Sequence, residues 1–122
     1  MNVENYISLY RDLKISKAEL QQAVGDDLYN VRVRKPYMIR CSDIVNAINS
    51  FKNKSISENA LIDWVNVVWF TELFAFKDEE ADSIVSVLAA LESMDEVDVE
   101  ICDSDLDEMI RALNSNNEYD PS

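Results

Sequence analysis

Apolar positions recur with helical spacing along most of the chain. Val3, Tyr6, Ile7 and Tyr10 fall on one face of a helix predicted near 2–13. A short helix over 16–24 follows and stops at Gly25, a residue type suited to the left-handed position after a helix. Ile44, Val45, Ile48 and Phe51 define the inward face of a helix over 42–53. A long helix is predicted over 57–76, another over 78–93 with Asp78 as its cap, and a last one over 104–114. Two segments alternate instead. Tyr29, Val31 and Val33 alternate with Asn30, Arg32 and Arg34 in a short strand over 29–35, ended by Pro36. Val97, Val99 and Ile101 alternate with Glu96, Asp98 and Glu100 over 96–101.

Three helix starts carry local signals. Ser16 and Glu19 form a capping box, and Ile15 and Leu20 flank it as a hydrophobic staple. Ser57 repeats the cap between Ile56 and Leu61. Ile101 and Leu106 keep the same spacing, with the cap either at Cys102 or, better, at Ser104 with Asp107 three residues on. The pattern predicts a mainly α fold: a compact bundle of five to six helices with at most a small two-stranded β element. Residues 1–114 form one domain in this reading, and 115–122 a flexible C-terminal tail. The two alternating segments are each other's simplest partner, which would set Arg32 and Arg34 across from Asp98 and Glu100.

The stretch from Asn59 to Phe76 is apolar nearly all round, the mark of a buried central helix. Asp63, Asn66 and Glu72 interrupt it, and it is too short for a membrane span. On a helical wheel Asn59, Asp63, Asn66 and Lys77 share a face, with Phe70 in its middle and Phe74 at its edge. Phe70 and Phe74 are therefore either an aromatic contact for a partner or are covered by the chain's own termini. Glu72 falls on the opposite face, beside Leu61, Val65 and Val68. It is either a buried carboxylate with a raised pKa, or it lies where the helix has left the core or meets a base such as Arg40. No nucleophile or second base accompanies it, so the protein is not expected to be an enzyme.

Composition narrows the function further. The chain has 122 residues, 24 Asp+Glu against 11 Lys+Arg, a net charge of −13, no His, one Gly and two Cys. Without imidazole there is no His-based proton transfer and no His metal ligand. One glycine cannot build a phosphate-cradling loop, so no cofactor is implied. The charge opposes direct nucleic-acid binding. Cys41 and Cys102 are expected as small reduced core residues, and they pair only if the fold brings them together. Met1–Asn5 lacks the basic and apolar regions of a secretory signal, so a cytoplasmic location is the default expectation. The run Asp103–Asp107 begins like a calcium loop, but Glu108 stands where glycine is required and Asn114 where a bidentate Glu is required.

The charge is also uneven. Residues 1–54 carry nine Lys/Arg and six Asp/Glu, a net of +3; residues 55–122 carry Lys77 and Arg111 against eighteen acids, a net of −16. Glu92, Asp95, Glu96, Asp98, Glu100, Asp103, Asp105, Asp107 and Glu108 follow one another without an intervening base. Acids at that density repel one another and are relieved by a basic protein partner, which they also attract over distance.

Three segments together resemble small bacterial immunity proteins, those that protect cells from colicin-like and contact-dependent toxins. They are Ile56-Ser57-Glu58-Asn59-Ala60-Leu61-Ile62-Asp63-Trp64, the acidic helix from Asp78, and Asp105-Leu106-Asp107-Glu108-Met109-Ile110. The resemblance spans about half the chain and is one of style; the basic N-terminal half departs from it. It implies a small, acidic, non-enzymatic protein that plugs or masks a basic nuclease toxin domain. The nine acids, with Phe70 and Phe74, are then the expected partner-facing residues, with no membrane and no metal involved. Two other readings share parts of this physics. One is a phage-encoded DNA mimic that blocks a host defence nuclease. The other is an adaptor that binds through Phe70 and Phe74.

Overall fold

Local signals start and stop most of the elements. The computed structural model describes residues 3–25, 28, 35–96 and 101–120. Helix α1 (Val3–Arg11) leads into α2 (Lys17–Val24). At the start of α2, Ser16 Oγ accepts from the Glu19 N–H, and the Glu19 carboxylate accepts from the Ser16 N–H, both at 3.1 Å. Strand β1 (Tyr37–Ile39) is followed by α3 (Cys41–Lys52) and then α4 (Glu58–Phe70), where the Ser57 hydroxyl accepts from the Ala60 N–H. Strand β2 (Phe74–Phe76), a 3₁₀ turn at Asp78–Glu80, α5 (Ala81–Glu92), a second 3₁₀ turn at Ser93–Asp95 and α6 (Asp103–Asn114) complete the described chain. The fold is mainly α, with six α-helices and one two-stranded sheet among the described residues.

A chain with one glycine must end its helices with other residues. Gly25 takes the left-handed position after α2, at φ 83°. Leu13, Lys54 and Asn116 take it after α1, α3 and α6, at φ 62°, 66° and 52°. In each case the next N–H closes back five residues: Lys14 to Leu9 O, Ser55 to Ser50 O and Asn117 to Ala112 O. A side chain at this φ costs about 1 kcal/mol or more. Lys54 is exposed, so Lys54→Gly is expected to stabilise the protein by about 0.5–1 kcal/mol. An unchanged or lower urea midpoint would contradict this.

The predicted helix over 57–76 is shorter than expected: α4 ends at Phe70, and Phe74–Phe76 is a strand. Thr71 stops it. Its hydroxyl donates to Val67 O at 2.5 Å and accepts from the Leu73 N–H at 3.3 Å, which turns the backbone out of the helix. Glu72 therefore sits exposed in the turn, not in the core. Strand β2 pairs in parallel with β1, Tyr37 opposite Phe74 and Ile39 opposite Phe76. The flanking bonds are Tyr37 N–H to Leu73 O (2.9 Å) and Lys77 N–H to Ile39 O (3.0 Å). The chain returns in the same direction because α3 and α4 form the crossover. The described sheet is this β1–β2 pair; the pairing expected between 29–35 and 96–101 falls on 29–34 and 97–100, which lie outside the described residues. Asp78 does not cap a regular helix either, because a 3₁₀ turn precedes α5.

One core joins every helix. Ile7 and Tyr10 of α1, Leu20 of α2, Ile44 and Ile48 of α3, Ile84, Leu88 and Leu91 of α5, and Leu106, Met109 and Leu113 of α6 are all buried with the inner residues of α4. Trp64 is fully buried, and its indole N–H donates to Arg11 O at 3.2 Å, tying the end of α1 to the middle of α4. Helix α6 packs mainly on α3, and α4 on α5. Asn116 and Tyr119, within the segment read from the sequence as a flexible tail, bond to the Asp78–Glu80 turn and to α5. Asn116 Nδ2 donates to Glu79 O at 2.8 Å, Ser83 Oγ donates to Asn116 Oδ1 at 2.5 Å, and the Tyr119 N–H donates to Ser86 Oγ at 2.8 Å.

A carboxylate from one element also caps another. The Cys41 N–H, at the start of α3, donates to Glu80 Oε1 at 2.7 Å, with Lys77 Nζ 3.7 Å from the other oxygen. This bond from the Cys41 main chain is the main reason that Glu80 titrates below its ordinary value. A pKa lowered in the folded state contributes stability above the unfolded pKa, and that contribution is lost as pH falls through the folded one. Glu80→Gln is therefore expected to flatten the fall of the urea midpoint between neutral and acid pH. An equally steep fall in both proteins would contradict the assignment.

Candidate functional site

Helix α6 divides the chain's chemistry between two faces. Leu106, Met109 and Leu113 point into the core at 1–2% exposure, while Asp103, Asp107, Glu108 and Arg111 are exposed. The helix begins at Asp103 with Cys102 as its cap, one of the two sequence alternatives; the Ser104 cap is not used. The Cys102 N–H donates to Asp105 Oδ2 at 3.0 Å, and this bond is the leading cause of a lowered Asp105 pKa. Asp105 is thus a helix-starting residue rather than a free charge. Asp107 is also engaged, because Lys52 of α3 binds its carboxylate and ties α6 to α3. The run Asp103–Asp107 lies within a helix, not in a metal-binding loop.

The segment after α6 enlarges the acidic face. Glu108, Arg111, Ala112, Ser115, Asn117, Glu118, Tyr119 and Asp120 line an open groove of about 300 Å³. Tyr119 is half-buried, and burial, followed by the nearby Asp105 and Glu108 carboxylates, pushes its phenol above the ordinary value. Carboxylates at Glu108, Glu118 and Asp120 therefore line one groove with an aromatic ring and one arginine, and Asp103 is exposed at the start of the same helix. Tyr and Arg are the residue types that most often anchor protein interfaces. Sequence reasoning missed Glu118, Tyr119 and Asp120, since an Asn/Ser-rich segment after a helix reads as a fraying end. The one available signal was Tyr119 itself, an aromatic residue with no reason to lie in a solvated tail.

The other expected acids lie elsewhere. Glu92 and Glu96 line a shallow groove with Asn66, Ala89 and Ser93, at the end of α5. The side chain of Asp95, and Asp98 and Glu100 entirely, fall outside the described residues. Among the two aromatic candidates the structure separates Phe70 from Phe74. Phe70 is 49% exposed and stacks on Trp69, with ring centroids 5.0 Å apart and 15° between planes. Phe74 is only 6% exposed, because it belongs to β2 and faces the core, so it cannot serve as a surface contact.

Neither cysteine behaves as a pair member. Cys41 is buried, and burial, then a hydrogen bond with Glu80, push its thiol up to about 11, so it stays protonated at neutral pH. Cys102 is exposed rather than in the core, as its place at the start of α6 requires. No helix among the described residues is long and apolar enough to cross a membrane. No protein-family model matches the chain, and no curated protein or solved structure matches it.

Proposed function

We propose that the chain is a non-enzymatic immunity protein that acts in the cytoplasm by binding a bacterial toxin, a basic nuclease domain, through an acidic surface. The observation that carries the proposal is the two-faced α6, with the segment after it adding Glu118, Tyr119 and Asp120 to the same groove. Exposed acids in an array attract a basic partner over distance, and the half-buried tyrosine supplies contact area once it docks. The partner-facing set is then Asp103, Glu108, Glu118, Tyr119 and Asp120, with Glu92 and Glu96 as an outlying acidic pair. Asp105 and Asp107 serve the fold. An adaptor working through an aromatic pair has less support, since Phe74 is buried.

Immunity genes act beside toxin genes, so the test is a co-expression experiment with the product of the neighbouring gene. That product is expected to arrest growth, and this chain is expected to restore it. A harmless neighbour, or a toxic one that this chain does not neutralise, would overturn the reading. A neighbouring phage cassette would favour the DNA-mimic alternative.

A further inference from the structure

The basic half of the chain has its own cleft. Glu4 and Arg11 of α1 form one wall, and Lys35, Pro36, Tyr37, Met38 and Arg40 form the other, around a volume of about 500 Å³. The second wall is β1 with its flanking residues, so the cleft runs along that strand. The register of the parallel pair turns the main chain of Tyr37 and Ile39 toward β2. Alternation then turns the N–H and C=O of Met38 the other way, along the outer edge of a two-stranded sheet. The Met38 side chain is 44% exposed, a large value for an apolar residue in a strand.

The charges of the cleft are the reverse of those on α6. Three cations line it against one carboxylate, Glu4. Arg11 is held by Asp12 at 3.1 Å and lies 3.9 Å from Asp43, so part of its charge is already met. Lys35 and Arg40 are exposed at the two ends of β1, and neither has an ion pair with a described residue. A strand edge that no described strand pairs, with cations at each end, fits one kind of occupant: an extended chain that supplies main-chain partners to Met38 and carboxylates to Lys35 and Arg40.

We infer that this cleft docks an extended acidic segment of a partner protein, which adds to β1 as a third strand. The site is separate from the acidic groove on α6 and stands whether or not that groove binds a toxin.

The probe is a fluorescein-labelled peptide of alternating Glu and Val, compared with its Lys-and-Val counterpart, by anisotropy on the whole protein. The acidic peptide is expected to bind saturably and the basic one not in the same way. Lys35→Glu with Arg40→Glu should weaken it by an order of magnitude or more. Met38→Pro is the informative second variant. It removes an N–H that β2 does not use, so the β1–β2 pair is retained while the outer edge loses its donor. It too should weaken binding at least tenfold, with far-UV circular dichroism unchanged. Three results would each overturn the inference: no saturable binding at millimolar peptide, loss on charge reversal with no response to Met38→Pro, or displacement of the peptide by a second copy of this chain as protein concentration rises.

Discussion

Trp64→Ala is expected to cost about 3–5 kcal/mol, the largest loss from any single substitution in this core. The side chain is fully buried and is the largest there, so truncation leaves a cavity that the neighbouring helices cannot close. A domain of this kind has about 5–15 kcal/mol in total, so the variant should be at or near the edge of folding at ambient temperature. Trp64→Phe is the smaller change. It keeps part of the aromatic volume but loses the indole's second ring together with the donor to Arg11 O, at an expected cost of about 1–3 kcal/mol. The loss should appear first as faster amide exchange in α1, whose last turn that bond anchors. Urea unfolding and hydrogen exchange of both variants check this; equal costs for Ala and Phe would show that Trp64 is not the packing centre.

What the sequence made legible was what short-range chemistry decides. The Ser16 and Ser57 caps, the stop at Gly25 and the amphipathic face of α6 all depend on residues within one or two turns, and the structure has them where spacing placed them. The errors fall where a distant partner or a competing side-chain bond decides. Thr71 looks like one more apolar-helix residue until its hydroxyl is seen bonded to Val67 O, and the strand it releases is fixed by β1, more than thirty residues earlier. That is also why Phe74 reads as a surface aromatic on a wheel but is buried. The candidate site divides in the same way. The acidity of α6 is plain in the sequence. Its division into structural acids and exposed ones is not, because Asp107 is bound by Lys52 and Asp105 by the main chain of Cys102. The contribution of Glu118, Tyr119 and Asp120 depends on Asn116 reaching the Asp78–Glu80 turn and Tyr119 reaching α5, contacts that no local rule predicts.

Glu108→Lys combined with Glu118→Lys is expected to weaken partner binding by about 10²–10³-fold while leaving helicity and the urea midpoint nearly unchanged. Both side chains are exposed, both line the groove beside Tyr119, and neither takes part in a cap or an ion pair among the described residues. Reversal of Asp105 or Asp107 would confuse the result, since each would also loosen the start of α6 or its tie to α3. The matched control is Glu79→Lys with Asp82→Lys, two exposed acids near the start of α5, which changes net charge by the same amount elsewhere. If the charge acts locally, the groove variant loses binding and the control keeps most of it. If only total charge matters, the two variants weaken equally.

The most direct test of the proposed role for the acidic face is the affinity for the proposed toxin partner as a function of salt, for the native chain and the Glu108→Lys/Glu118→Lys variant. The native complex should weaken by more than an order of magnitude from low to physiological ionic strength, and the variant should bind more weakly with a flatter dependence. A native affinity that ignores salt, or a variant that retains the native slope, would contradict the account.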